Sequence, residues 1–216
     1  MRQYAPGLLL SVALVAQAQN PPQRAVHENV IVSGQKPSIR IEIPKEARYL
    51  GADSWILYGV ADCELHVWIE ADSDNVVNRL YWVQFEAYLP SKSGLRYNYP
   101  FTRTTNIGGW DFDVRARFGA NDEQPKPESD AGHVWAMLQA SGYKWSRDAM
   151  NVRLVYLPDE QKRTELMIIY AEDLKPTGLT AADLLAGGKG SDQWPALEQG
   201  LIERAAHKLK LSPPTR

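Results

Sequence analysis

The residues whose types suit binding or catalysis lie in two segments, 62–70 and 80–89, where side chains alternate in character. Alternation with a period of two is typical of β-strands whose two faces differ. One face of each segment is largely apolar. The other face carries acids, an amide, aromatic rings and a histidine, namely Glu64, His66, Trp68, Glu70, Trp82, Gln84, Glu86 and Tyr88.

A turn between the two segments predicts that they form a β-hairpin. The residues Asp72 to Asn75 have the composition of a tight turn. If apolar faces match, the register shift must be even. A turn centred on Asn75 then gives three cross-strand pairs, which are Trp68 with Trp82, His66 with Gln84, and Glu64 with Glu86. A slip by two residues sets His66 opposite Glu86 instead.

Two carboxylates on one shared face would suit acid–base chemistry. Like charges directly opposite each other are unfavourable, so a shielded Glu64–Glu86 pair would hold one proton at neutral pH. A protonated acid beside a carboxylate and His66 can act as general acid or base. Trp68 and Trp82 would form a flat wall for a sugar ring or another apolar ligand face. The same residues also fit a hydrated outer face, or a second packed face covered by a helix.

Other groups are weaker candidates for a site. Arg115 and Arg117 lie on a predicted strand over 112–118, where they could bind an acidic ligand or simply face solvent. Loop residues often carry function. Three aromatic residues beside a Gly- and Pro-rich loop therefore form a candidate lid or contact patch, namely Tyr97, Tyr99 and Trp110.

The sequence predicts no cofactor and no metal site. The four histidines, His27, His66, His133 and His207, have no His, Cys or acidic partner at a recognised metal spacing. Cys63 has no second cysteine with which to form a disulfide, and we expect it to be buried in a strand. The glycine-rich segment 187–191 lacks the spacing of a phosphate-binding loop.

The N-terminus has the three parts of a cleavable secretory signal peptide over residues 1–18. Arg2 supplies a positive charge, residues 8–16 are apolar apart from one serine, and Ala16-Gln17-Ala18 suits cleavage before Gln19. The apolar stretch is too short to span a bilayer comfortably, and no transmembrane span is expected. We therefore expect a periplasmic or secreted protein.

The rest of the chain predicts a single α+β domain over residues 37–211. A flexible leader over 19–36 with one short strand at 30–32 precedes it, and a loose tail over 212–216 follows. Strands are predicted at 39–43, 55–70, 80–89, 112–118, 152–157 and 165–172, with residues 90–109 as a loop. Helices are predicted at 130–141 with Asp130 as cap, after Thr180, and at 195–209. This order favours a largely antiparallel curved sheet of about six strands, packed by two or three helices.

Composition narrows the function classes. The net charge is −2 and the basic residues are scattered, which argues against nucleic-acid binding. We expect a non-catalytic binding domain for a small molecule or peptide, with a site formed by Glu64, His66, Trp68, Trp82, Gln84, Glu86 and Tyr88. One alternative is a hydrolase or isomerase that uses Glu86 or Glu64 with His66. Another is a structural or interaction protein of the cell envelope, with an exposed apolar patch.

Overall fold

The computed structural model describes residues 21–214. The predicted signal peptide and its cleavage site lie outside the described residues, as do the last two residues of the predicted tail. Within 21–214, no helix is long and apolar enough to cross a membrane. Two sheets and three α-helices form this part of the chain.

The smaller sheet brings the two ends of the described chain together. Its strands are β1 (Val26–His27), β2 (Val30–Ser33), β3 (Ile39–Glu42) and β12 (Lys210–Ser212), paired in that order and antiparallel throughout. The predicted flexible leader therefore contains two strands rather than one. Ile31, Ile39 and Ile41 point from this sheet into the core and are fully buried.

The larger sheet carries most of the strands. These are β4 (Arg48–Leu57), β5 (Ala61–Ala71), β6 (Val76–Tyr88), β7 (Arg103–Ile107), β8 (Trp110–Ala120), β9 (Lys144–Trp145), β10 (Asp148–Tyr156) and β11 (Thr164–Asp173). The order is β4-β5-β6-β11-β10-β8-β7, with antiparallel neighbours, and β9 pairs in parallel with the start of β6.

The α+β class with largely antiparallel sheets is confirmed, but the strand count is not. The sheets hold eight and four strands instead of about six. The segment 55–70 was predicted as one strand, but Tyr58 and Gly59 adopt left-handed backbone angles, with φ of 47° and 68°, and turn the chain between β4 and β5. β7 lies within the predicted loop over 90–109.

The helices are α1 (Asp130–Ala140), α2 (Ala181–Leu184) and α3 (Trp194–Lys208). Ser129, and not Asp130 as predicted, caps α1, because the Ser129 hydroxyl accepts a hydrogen bond from the Gly132 amide at 3.2 Å. Gly142, with φ of 77°, follows the end of α1 as predicted. The capping box of Thr180 and Asp183 at the start of α2 is also confirmed.

Both faces of the large sheet are packed around β5 and β6. One face, here called the small-sheet face, packs against the smaller sheet and α3 through Trp68, Tyr81 and Leu201. The opposite face, here called the α1 face, packs against Val134 and Leu138 of α1. A strand pair buried on both sides has no solvent face on which to place its polar side chains.

The β5–β6 register differs by one residue from the prediction. In the turn Asn75 is left-handed, with φ of 60°, and the Asp72 amide donates to the Val76 carbonyl at 2.9 Å. Ala71 lies opposite Val77, but Glu70 lies opposite Arg79. Asn78 is therefore an extra residue on β6, which is a β-bulge.

A shift of one residue moves a whole row of side chains to the other face. Trp68 lies opposite Tyr81, Val67 opposite Trp82, and Cys63 opposite Glu86. The predicted polar surface is therefore not formed. Glu64, His66 and Trp68 belong to the small-sheet face, whereas Trp82, Gln84, Glu86 and Tyr88 belong to the α1 face.

We predict that deleting Asn78 abolishes cooperative folding, because without the bulge Trp82, Gln84 and Glu86 would be forced towards the small-sheet face. Asn78→Ala keeps the residue count, and we expect it to cost no more than about 1 kcal/mol. Urea unfolding followed by tryptophan fluorescence distinguishes the two variants. A deletion variant with the wild-type midpoint and slope would show that the bulge does not set the register.

Candidate functional site

On the small-sheet face, Glu64 and His66 form a closed polar network. The Arg24 amide and guanidinium donate to the Glu64 carboxylate at 2.8 and 2.7 Å. His66 Nε2 lies 2.9 Å from the same carboxylate, and its Nδ1 lies 3.0 Å from the Tyr49 hydroxyl. The Arg24 guanidinium also lies over the Phe85 ring, 3.8 Å from its centroid.

This network is largely buried and ties Arg24 to β5, although Arg24 and Glu64 also line a small pocket of about 110 Å³. His66 and Trp68 have no exposed surface. Burial alone would raise the pKa of Glu64, but the His66 hydrogen bond and the Arg24 charge outweigh burial and lower that pKa to about 2. Burial, with the Glu64 charge, raises the pKa of Tyr49 to about 12.

On the α1 face, a chain of hydrogen bonds runs along β6. The Trp82 indole N–H donates to the Gln84 carbonyl at 2.9 Å, and the Gln84 amide donates to the Glu86 carboxylate at 3.0 Å. The Tyr97 hydroxyl donates to the other Glu86 oxygen at 2.6 Å. Gln84 is fully buried, so this chain fixes the orientation of Trp82.

Glu86 lies directly opposite a second acid, Glu165 of β11. Glu165 is 1% exposed, accepts a hydrogen bond from Tyr99 and lies 3.2 Å from the Arg153 guanidinium. Burial and the Glu86 charge raise the pKa of Glu165 to about 7, against the opposing effects of Tyr99 and Arg153. The repulsion between shielded carboxylates that was predicted for Glu64 and Glu86 is thus found between Glu86 and Glu165.

Asp130, the first residue of α1, adds a third carboxyl to this acid cluster of Glu86, Glu165 and Asp130. Burial and the Glu86 charge raise its pKa to about 6. Its buried Oδ1 has no hydrogen-bond partner among residues 21–214. Single ligand atoms of Cys63, Glu86 and Asp130 lie within 4.8 Å of one another. Burial raises the pKa of the Cys63 thiol, however, and a protonated thiol is a poor metal ligand.

Beside the acid cluster, a groove with a volume of about 320 Å³ runs between α1 and the sheet. Its main aromatic walls are the indoles of Trp82, Trp135 and Trp145. The apolar lining is completed by Leu80, Phe118, Pro125, Ala131, Val134, Leu138, Ala149, Ile169 and Ala171. A cavity of this size with predominantly apolar walls has the properties of a small-molecule site.

One end of the groove is basic. Arg117 and Asn151 line it and lie opposite each other on β8 and β10. Arg115 lies two residues from Arg117, and therefore on the same face, opposite Arg153. Burial and the positive charges of Arg115 and Arg153 lower the pKa of Arg117.

The structure therefore divides the seven predicted ligand-binding residues. Trp82 lines the groove, Gln84 and Glu86 extend from it, and Tyr88 stacks on Tyr97 with centroids 4.4 Å apart. Glu64, His66 and Trp68 lie on the opposite, small-sheet face. The lid candidates also separate. Tyr97 and Tyr99 cover the acids, whereas Trp110 packs against the opposite core.

Sequence reasoning missed several groups on the α1 face, namely Asp130, Trp135, Trp145, Asn151, Arg153 and Glu165. The alternation of Asn151 and Arg153 with Val152 and Leu154 is the signal that could have marked a polar row on β10. Glu165 gave no such signal, because four apolar residues, Leu166 to Ile169, follow it without alternation. Its burial depends on Tyr99 and Arg153, which come from distant segments.

No family model, no curated protein and no solved structure matches this chain. The function must therefore be argued from the chemistry of the groove and the acid cluster.

We predict that Glu64→Gln lowers the free energy of unfolding by about 3 kcal/mol, because it leaves the buried Arg24 charge without its counter-ion. The matched control is Glu42→Gln. It breaks the more exposed Arg40–Glu42 pair and should cost under about 1 kcal/mol. Urea unfolding at neutral pH measures both variants. Equal stability of Glu64→Gln and wild type would contradict the structural role.

We predict that stability falls as pH rises between about 5 and about 8. The folded-state pKa values of Asp130 and Glu165 lie above the ordinary values of 3.8 and 4.5 for these side chains, so the folded chain holds more protons in this window. The stabilisation is complete below the unfolded-state pKa values and is lost as pH passes the folded-state values. From about pH 5 to about pH 8 the loss should be on the order of 3 kcal/mol.

The control for this pH dependence is Glu165→Gln, which keeps a neutral hydrogen-bonding side chain beside Tyr99. We expect urea unfolding of this variant to show less than about half of the wild-type decline. A wild-type stability that is flat across this pH range would contradict proton retention by the acid cluster.

Proposed function

We propose that this protein is a non-catalytic binding domain for a small organic molecule, held in the groove between α1 and the large sheet. The observation that carries the proposal is the groove of about 320 Å³ with three indoles in its walls. Indole rings offer large, flat contact surfaces at a small cost in conformational entropy.

The indole rings in the groove walls can still stack on a ligand and donate a hydrogen bond to it. Among residues 21–214, none of the three indoles stacks on another aromatic ring. The Trp135 indole N–H is buried and has no acceptor among these residues. A ligand that covers the half-buried Trp135 and Trp145 would gain about 25 cal/mol for each Å² of apolar surface removed from water.

The groove is also held in place before a ligand arrives. Trp82 is oriented by Gln84, whose amide is in turn fixed by Glu86. The opposite wall belongs to α1, which is anchored by the hydrogen bond between His133 and Asp53 at 2.7 Å. A site that is formed in advance loses less conformational entropy on binding.

The enzyme alternative receives less support than binding. Glu86 and His66 lie on opposite faces of the sheet and cannot act on one substrate, and the Glu64 carboxylate is already held by Arg24 and by the fully buried His66. Glu165 is buried against Tyr99 and Arg153. The envelope-protein alternative and export through residues 1–18 stay predictions from the sequence.

The test uses N-phenyl-1-naphthylamine, a neutral dye whose fluorescence rises in apolar sites, as the probe. We expect saturable binding that is weakened at least about tenfold by Ala131→Trp, since Ala131 lines the groove and a larger side chain would fill it. Ala131 is exposed, so this substitution does not overpack the core.

The matched control is Ala136→Trp, which adds the same side chain at an exposed position of α1 that does not line the groove. We expect its dye affinity to equal that of wild type. Absence of dye binding to the wild type, or equal loss in both variants, would refute the groove as the binding site.

A further inference from the structure

We infer that the ligand of this groove is an organic anion, with a flat apolar body between the indoles and a single acidic head group on Arg115 and Arg117. This inference rests on the proposed function and specifies the chemical class of the ligand. The shared chemistry of the head group is a carboxylate, phosphate or sulfonate.

The register places the head-group site next to the groove. Arg117 and Asn151 lie opposite each other and both contribute to the groove lining. Arg115 is the next residue on the same face of β8 and is exposed, as Arg117 is. A ligand whose body contacts Trp82 or Trp135 therefore meets guanidinium groups at the β8 end of the same groove.

Two guanidinium groups on this part of the face are unpaired among the residues that the structure describes. Arg153 pairs with Glu165 at 3.2 Å, but Arg115 and Arg117 form no ion pair or hydrogen bond with any residue in 21–214. One carboxylate also lines the groove, that of the exposed Glu123. Asp113, two residues from Arg115, is a further carboxylate on this face of β8. Two guanidinium groups without an ion pair, of which Arg117 lines the groove, are thus available to an anionic ligand.

The arrangement is costly unless an anion occupies it. Arg115 and Arg153 lie directly opposite each other on neighbouring strands, and like charges in that position destabilise a sheet. Burial, together with the charges of Arg115 and Arg153, lowers the pKa of Arg117. An acidic head group would relieve this repulsion between like charges, because each planar guanidinium can donate two parallel hydrogen bonds to a carboxylate or phosphate.

The experiment compares two dyes with the same aromatic body. 1-Anilinonaphthalene-8-sulfonate is N-phenyl-1-naphthylamine with an added sulfonate, so the pair isolates the contribution of the negative charge. In the double variant Arg115→Gln/Arg117→Gln, we expect the affinity for the sulfonate dye to fall about tenfold and that for the neutral dye to change less than about twofold. A higher salt concentration should lower the affinity for the sulfonate dye and leave that for the neutral dye unchanged.

Two further variants complete the test. Arg103→Gln removes an arginine from the opposite face of the sheet, and both dye affinities should stay at the wild-type values. Glu123→Gln removes the acid at the groove, and we expect it to tighten the sulfonate dye about threefold without affecting the neutral dye. This gain tests the inference independently of how well the double variant folds.

The outcomes separate the inference from the proposed function. If the wild type binds the neutral dye in the groove but the sulfonate dye responds to neither the arginine nor the Glu123 substitutions, the anion inference is overturned and the binding function stands. If neither dye binds to the wild type, or if Ala131→Trp weakens the binding of neither dye, the anion inference and the proposed binding function are both refuted. Selective loss of the sulfonate dye in the double variant, with selective gain in Glu123→Gln, supports both.

Discussion

The site depends on the register between β5 and β6, and that register depends on one bulged residue, Asn78. Without the bulge, Trp82, Gln84 and Glu86 would turn towards the smaller sheet, where Tyr81 and its neighbours now fill the core. With the bulge, the same row faces α1, so that the indole reaches the groove and the acid reaches Glu165. A local backbone irregularity thus decides which side of the sheet can bind a ligand.

The sequence was informative about local structure and less so about pairing. Period-two alternation located β3 and β8 to within a few residues, β10 and β11 were predicted as a further strand pair, and turn chemistry located the chain reversal at Asp72 to Asn75. The register prediction was wrong because it required the apolar faces of the two strands to match. That rule holds for hairpins with one solvent-exposed face. Here both faces are buried, and the polar row of β5 packs against the apolar row of β6. Buried polar groups such as Glu64 then need partners from elsewhere in the chain, and Glu64 finds one in Arg24, at a distance of 40 residues.

The α1 face serves two purposes in adjacent areas. Over β5 and β6 it is core, because Val134 and Leu138 of α1 cover it. Over β10 and β8 no comparable apolar row exists, since Asn151, Arg115 and Arg117 occupy that side. The groove lies at the boundary between the two areas. A ligand bound there would therefore meet packed apolar surface on one side and guanidinium groups on the other.

The distribution of charge on this face follows from one ion pair. Arg153 is directly opposite Arg115, yet it reaches back to Glu165 and not towards solvent. This pairing offsets part of the cost of burying Glu165 beside Glu86, and it withdraws one positive charge from the groove. Positive charge remains with Arg115 and Arg117, while the acids are enclosed under Tyr97, Tyr99 and the start of α1. The raised pKa values of Asp130 and Glu165 leave these two groups partly protonated near neutral pH, so that they oppose an incoming anion less than two fully ionised carboxylates would. Acids that pack α1 against the sheet can therefore coexist with a basic binding surface on the same face.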